Sequence, residues 1–338
     1  MRNRSHVVKV QDCLIGFGCD DQINRSDSLR FQIEAGRACD PNHPWCGSPN
    51  HSETARRQWE KCWDDDALDF ANTFKPWSLP ACIPNLTARE VLPKFPSYKV
   101  VAAKLTDIGG ILSFKPSKLE QWRRRYGIPT RTTVLLHQES LDELQDKIAP
   151  LIEDGRLFEL ARSLGSNIIF DAPGYSVYDD GSMCPIKQVA NLRTSLLHAA
   201  MANRAGFPSI PTLGWNQDRP RDIEFISSWL KRQEGKITAL AVNAQTGTHS
   251  NRLCEELAKG ILEIERQAGS EYHWVVFGGR KRIETLVQAI PRNRITQVAR
   301  PKDFQVPLLA KDGSLSVQYL FDLRTADSDP RRRVSSNE

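Results

Sequence analysis

From Lys99 onward the chain alternates between two hydrophobic periods, and this constrains its fold more than any other feature. Short runs rich in Val, Ile, Leu and Ala read as strands: Lys99–Leu105, Thr132–His137, Asn167–Phe170, Ser209–Gly214, Ile237–Asn243, Trp274–Phe277 and Ile295–Val298. Between them, apolar residues recur at helical spacing over Ser117–Tyr126, Leu141–Leu164, Pro185–Ala205, Arg221–Arg232, Asn251–Ala268 and Arg280–Ala289, with a break expected near Gly155. Strand, helix, strand at this spacing means right-handed crossovers and a parallel sheet. Seven such steps in about 200 residues fit a (β/α) barrel of the TIM type, irregular or incomplete unless one more strand closes it. A doubly wound open parallel sheet is the alternative. The barrel is preferred because polar residues recur just past the strand ends, and only a barrel gathers all those ends at one mouth.

The first 97 residues follow neither period. They are crowded with Trp45, Trp59, Trp63 and Trp77 and hold six of the eight cysteines. One helix is expected near Glu53–Phe70. We therefore expect a Cys/Trp-rich segment over 1–97, a barrel over 98–324 and a disordered, charged tail over 325–338. The start of the chain lacks the apolar run of a signal peptide, and no stretch is long enough to span a bilayer. The expectation is a cytoplasmic protein without membrane contact. A net charge of +5, from 46 basic and 41 acidic residues, permits a nucleotide or nucleic-acid partner without requiring one.

Thiols clustered without a secretory signal point to metal or to reduced cysteines rather than disulfides. Cys39, His43, Cys46 and His51 have ligand types that suit zinc. Together with Cys62 and Cys82, four thiolates around zinc or an iron–sulfur cluster are the alternative. Free thiols in a Trp-rich segment remain the plainer reading.

Candidate chemistry lies along the barrel. Asp171 directly follows the Asn167–Phe170 strand, the position of a general base, nucleophile or metal ligand at a barrel's carboxyl end. It could equally cap its loop or hold Arg193. On a helical wheel centred on Ile186, Arg193 falls at about −20°, in the apolar stripe. A buried arginine needs a partner, so Arg193 anchors either an anionic ligand or a carboxylate such as Asp171. Asn191 falls off the stripe. Tyr175 and Tyr178 either stack on a ligand ring or pack on the loop. Trp215 either forms an aromatic wall or covers the barrel rim. Asn243 and Gln245 offer amides for reading hydrogen-bond edges. Gly278 and Gly279, followed by Arg280 at a helix start, offer a phosphate cradle or an ordinary glycine turn.

These residues also carry a family likeness. The run "DAPGYSVYDD", with Asp171, Tyr175, Ser176 and Tyr178, is followed by Asn191 and Arg193 and then by Gly206, Ile210, Pro211 and Trp215 in "GFPSIPTLGW". Over residues 80 to 300, including "CIPNL" at Cys82, this resembles the domain-of-unknown-function family numbered 4417, found in bacteria, plasmids and phages. The resemblance implies a mobile-element or phage association, places Asn191 among the ligand-facing residues, and implies no established activity. A weaker likeness is to tRNA-guanine transglycosylase-like barrels, which have a strand-end aspartate, a Gly-rich late loop and cysteine-bound zinc. It implies an enzyme acting on a nucleotide, a nucleic-acid base or another phosphate-bearing substrate by base exchange or modification. In that expectation Asp171 and Arg193 are catalytic, and Asn243, Gln245, Trp215 and Arg280 hold the substrate. The alternative is a non-catalytic module that binds nucleic acid or a host protein.

Overall fold

A computed structural model describes residues 66–74, 79–86, 99–106, 116–138, 145, 148–163, 167–175, 185–216, 220–244, 251–278, 280–300, 305–309 and 315–319. Nine short parallel strands form one sheet: β1 (Cys82–Leu86), β2 (Val100–Lys104), β3 (Thr133–His137), β4 (Ile168–Asp171), β5 (Ser209–Ile210), β6 (Thr212–Leu213), β7 (Ala239–Asn243), β8 (His273–Phe277) and β9 (Ile295–Ala299). Their order is β5-β4-β3-β2-β1-β9-β8-β7-β6. The two ends of this list, β5 and β6, are separated in the chain only by Pro211. One extended stretch therefore pairs with β4 through its first half and with β7 through its second. This brings the sheet round on itself, so eight strand positions make a TIM-type parallel barrel.

The helices are α1 (Pro116–Tyr126), α2 (Ala149–Glu153), α3 (Arg156–Ser163), α4 (Pro185–Arg204), α5 (Pro220–Arg232), α6 (Asn251–Ala268) and α7 (Arg280–Ala289). The expected break in the second helix falls at Gly155, whose φ of 77° is left-handed and separates α2 from α3. Gly269, with φ 74°, ends α6 the same way, and its N–H returns to the Glu265 carbonyl at 2.8 Å. An antiparallel hairpin, β10 (Gln305–Leu309) with β11 (Leu315–Tyr319), follows the barrel strands and had no counterpart in the sequence reading.

Alternation along each strand sorts the core into two clusters. Ile83, Val100, Ala102, Leu135, Ile169, Ile210, Ala241, Val275 and Val298 fill the barrel interior. Their neighbours, such as Val101, Val134, Phe170, Leu213, Leu240 and Trp274, face outward and meet the helices. On α5 the outer core takes Ile223, Ile226, Trp229 and Leu230, one helical face.

Two boundaries differ from the sequence expectation. The barrel begins at Cys82, ahead of the boundary expected at 97/98, because β1 pairs with both β2 and β9. Within the expected Glu53–Phe70 helix, the described end is a short 3-10 turn at Asp66–Leu68, and it serves the barrel too. Leu68 and Phe70 are fully buried, and Trp229 Nε1 donates to the Leu68 carbonyl at 3.1 Å. The Phe70 N–H donates to Gln233 Oε1 at 2.9 Å. Asn72 and Asn203 exchange three hydrogen bonds. The segment thus covers the helix layer over α4 and α5. It covers the carboxyl end of α4, whose residues 191–203 are buried almost all round rather than along one stripe.

Candidate functional site at the barrel mouth

The period-two pattern that fills the interior with aliphatic residues ends, strand after strand, in a polar one. Asn85 on β1, Lys104 on β2, His137 on β3, Asp171 on β4, Thr212 on β6 and Asn243 on β7 all occupy inward positions at or next to the carboxyl ends of their strands. They form a polar layer above an apolar plug, at the end where barrel enzymes place their chemistry.

His137 lies across the bore. Its Nε2 is 2.9 Å from Asn85 Oδ1, two strand positions away. The strand between them presents only the small Ala102 inward, level with Asn85. With that oxygen as acceptor, the ring proton sits on Nε2. The ring also meets Phe277 of β8, centroids 5.1 Å apart and tilted by 42°. Burial first, and the nearby Lys104 charge second, push the imidazole pKa down to about 3. His137 is therefore neutral at any ordinary pH, a fixed donor rather than a charge.

Asp171 is fully buried. The Thr212 hydroxyl lies 3.0 Å from Asp171 Oδ1 and 2.8 Å from the Ala172 carbonyl oxygen. A hydroxyl has one proton, so it can serve only one of these acceptors at a time. If it serves the carbonyl, its lone pair faces Asp171 and favours a protonated carboxyl. If it serves Asp171, it favours the carboxylate. The Thr212 hydroxyl can thus turn toward either acceptor. The chain beyond it is tied down: the Ala172 N–H donates to Ile210 O, Gln145 Nε2 donates to Gly174 O, and the Tyr175 N–H donates to Ser195 Oγ.

The other expected residues land as follows. Arg193 is completely buried on α4, in the helix layer. Asn191 is buried as well, where the wheel placed it off the apolar stripe, and its carbonyl accepts the Ser195 hydroxyl. Both faces of α4 are covered, so a one-stripe wheel does not apply. The Tyr175 ring is buried against His198 of α4, 6.1 Å between centroids, so it packs on that helix. Trp215 is buried in the outer core with its indole pressed on Gly260 of α6, where there is no room for even a methyl group. That is the rim-covering alternative, not an aromatic wall. Asn243 is half-buried at the mouth. The Gly278 amide is committed within the barrel: its N–H donates to Val298 O at 3.2 Å, and Gln297 Nε2 donates to its carbonyl at 2.9 Å. A side chain at Gly278 would crowd Ala244, so close approach of neighbouring strand ends explains this glycine. Tyr178, Gln245, Gly279 and the Arg280 side chain lie outside the described residues, although α7 does begin at Arg280.

Of the expected metal ligands, Cys39, His43, Cys46 and Cys62 lie outside the described residues. Cys82 is the one expected ligand among the described residues. It opens β1 at the far end of the barrel from the mouth, and its Sγ is 3.8 Å from an Arg292 guanidinium nitrogen. Burial pushes its thiol pKa up, against thiolate formation. Among the described residues no three His, Cys, Asp or Glu side chains are grouped to hold a metal ion. No described helix is long and apolar enough to cross a membrane.

Sequence reasoning missed Asn85, Lys104, His137 and Thr212. The signal was present for two of them: V-x-A-x-K and T-x-L-x-H run inward and end polar, as A-x-A-x-N does at the candidate Asn243. Attention to residues beyond the strand ends passed over those on the strands. No family model, curated protein or solved structure matches the chain.

Proposed function

We propose that the protein is an enzyme whose substrate enters the barrel mouth and meets Asp171. The observation that carries this reading is a fully buried carboxylate, held by a hydroxyl that can reorient, in a polar layer over an apolar plug. A barrel built only for stability has no need of six polar side chains converging there. Asp171 transfers a proton or attacks as a nucleophile, and Thr212 positions it. His137, locked neutral on Asn85, donates or packs without adding charge, and Asn243 reads a hydrogen-bond edge of the ligand. Neutral donors and acceptors beside one carboxylate and one ammonium suit a polar heterocycle bearing an anionic group. The substrate class is therefore a nucleotide, a nucleic-acid base or a related phosphate-bearing compound, with base exchange or modification as the reaction.

Thermal stabilisation by nucleotides, nucleosides and free bases tests the reading, since its size follows ligand concentration over Kd. We expect at least one such ligand to raise the melting midpoint. Asp171→Asn, which keeps shape but cannot act as a base, should abolish turnover with little change in the melt of the free protein. Mass spectrometry of nucleic acid from cells with and without the protein then seeks the modified nucleoside. No stabilising ligand and no altered nucleoside would refute the reading.

A further inference from the structure

Lys104 stands apart from the rest of the mouth. It is the last residue of β2, on the inward face with Val100 and Ala102, and it is half-buried. Its register partner on the next strand is His137. Among the described residues its ammonium has neither a hydrogen-bond acceptor nor a carboxylate within ion-pair distance. Asp171 does not supply the counter-charge: it sits on β4, beyond His137, and the Thr212 hydroxyl lies against its Oδ1. His137 cannot supply it either, being neutral and itself disfavoured from charging by Lys104. A cation at the mouth that no described carboxylate neutralises is available to an anion from solution. The surrounding field has the same sign, because helices that follow parallel strands turn their positive ends toward the mouth.

We propose that Lys104 is the anion subsite of this mouth: an oxyanion of the substrate, phosphate or carboxylate, binds over the end of β2. The glycine turn after β8, by contrast, has its Gly278 amide already committed to the barrel ladder. The proposal shares the mouth with the function given above but requires only binding, not turnover.

Calorimetric titrations of inorganic phosphate and of malonate, at constant ionic strength and pH 7, test it on four proteins: wild type, Lys104→Met, Lys231→Met and Asp171→Asn. We expect saturable binding of one anion to the wild type. Lys104→Met should weaken it at least about tenfold, the loss of one charge-assisted hydrogen bond. Lys231→Met, at an exposed lysine near the end of α5, should match the wild type. Asp171→Asn should bind no more weakly, since a like charge is removed. Phosphate alone binding identifies a phosphate ester as the source, and malonate alone a carboxylate. In the wild type the His137 ring resonances should move with the same saturation curve, a readout that needs no substitution. Equal binding to wild type and Lys104→Met, an adventitious ion only, overturns the proposal. So does saturation that leaves His137 unmoved, or no saturable binding of either anion. Phosphate binding at Lys104 without stabilisation by any nucleotide, nucleoside or base would overturn the base-directed function and leave the subsite standing. The reverse pattern would do the opposite.

Discussion

Replacing His137 with Gln should flatten the acid side of the stability curve. The folded pKa of about 3 lies well below the ordinary value of 6.5, because the ring is enclosed and Lys104 is close. The unfolded chain therefore takes up a proton near pH 6.5, whereas the folded chain resists until about pH 3. In that window the unfolded state binds more protons, so stability rises with pH and falls as acid is added. From the 3.5-unit gap between those two values, protonation linkage gives a loss of about 2 kcal/mol between pH 7 and pH 5 and of about 4 kcal/mol by pH 3. Gln at 137 keeps a donor for Asn85 Oδ1 and cannot ionise, so this contribution vanishes. Half-buried His273, whose pKa is also lowered, to about 4, stays in both proteins and cancels in the comparison. Urea unfolding at pH 7, 6 and 5 measures the difference. The gap between wild type and His137→Gln should narrow by about 2 kcal/mol from pH 7 to pH 5. Parallel pH profiles, or an imidazole that titrates near pH 6.5 by NMR, would refute the reasoning.

Four further outcomes follow from described contacts. Phe70→Ala should destabilise by about 3–5 kcal/mol in urea unfolding, because the ring is fully buried beneath Trp229 in the segment that covers α4 and α5. Gly260→Ala should lose about 1–3 kcal/mol by overpacking the Trp215 indole, with ligand binding at the mouth unchanged in what folds. Arg193→Met should lower the melting midpoint strongly, about 3–5 kcal/mol, if the arginine pairs with a buried carboxylate. A small change in the melt with a lost ligand response would instead make it a ligand anchor. Elemental analysis of anaerobically purified protein should find about one equivalent of zinc, or an iron–sulfur cluster, held by Cys39, His43, Cys46 and Cys62. Cys82→Ser lowers that content only if Cys82 belongs to the set, and less than about 0.2 equivalents of both zinc and iron would sink the metal reading.

The elements with strong, long periodicity were legible, and for a physical reason. Buried parallel strands such as Val100–Lys104 and Thr133–His137 are apolar on both faces, and helices such as α5 and α6 carry one clean stripe. What failed was local pattern overridden by tertiary contact. "CIPNL" has a central proline and only five residues, yet β1 forms because β2 and β9 flank it. The α4 wheel misplaced Asn191 because residues all round α4, from Asn191 to Asn203, are buried, so no single stripe marks its inner face. Trp215 and Gly278 looked like ligand groups because aromatic and glycine residues at a barrel rim serve packing and binding equally well. Only Gly260 and Ala244, which their sequence positions do not connect to them, decide for packing. Asp171 was legible as a candidate from its position alone. Its Thr212 partner was not, since the two are joined only by the pairing of β4 with the stretch around Pro211.

That proline stretch sets how the chain can assemble. Everything from β1 to β5 pairs with its neighbour in sequence, and so does everything from β6 to β9. Each arc can therefore grow by successive short-range steps from its own end of the chain, and Pro211, which lacks an N–H, is the joint where one arc hands over to the other. The single long-range pairing is between Cys82–Pro84 and Gln297–Ala299. By loop-closure entropy it is the slowest contact to find and the natural last event in folding. Until it forms, β1 and β9 are open edges able to recruit a second chain. Hydrogen exchange during refolding should accordingly show the Gln297 amide, which bonds to the Ala81 carbonyl at 2.9 Å, gaining protection after the Ala241 amide, which bonds across the joint to Pro211 at 2.9 Å.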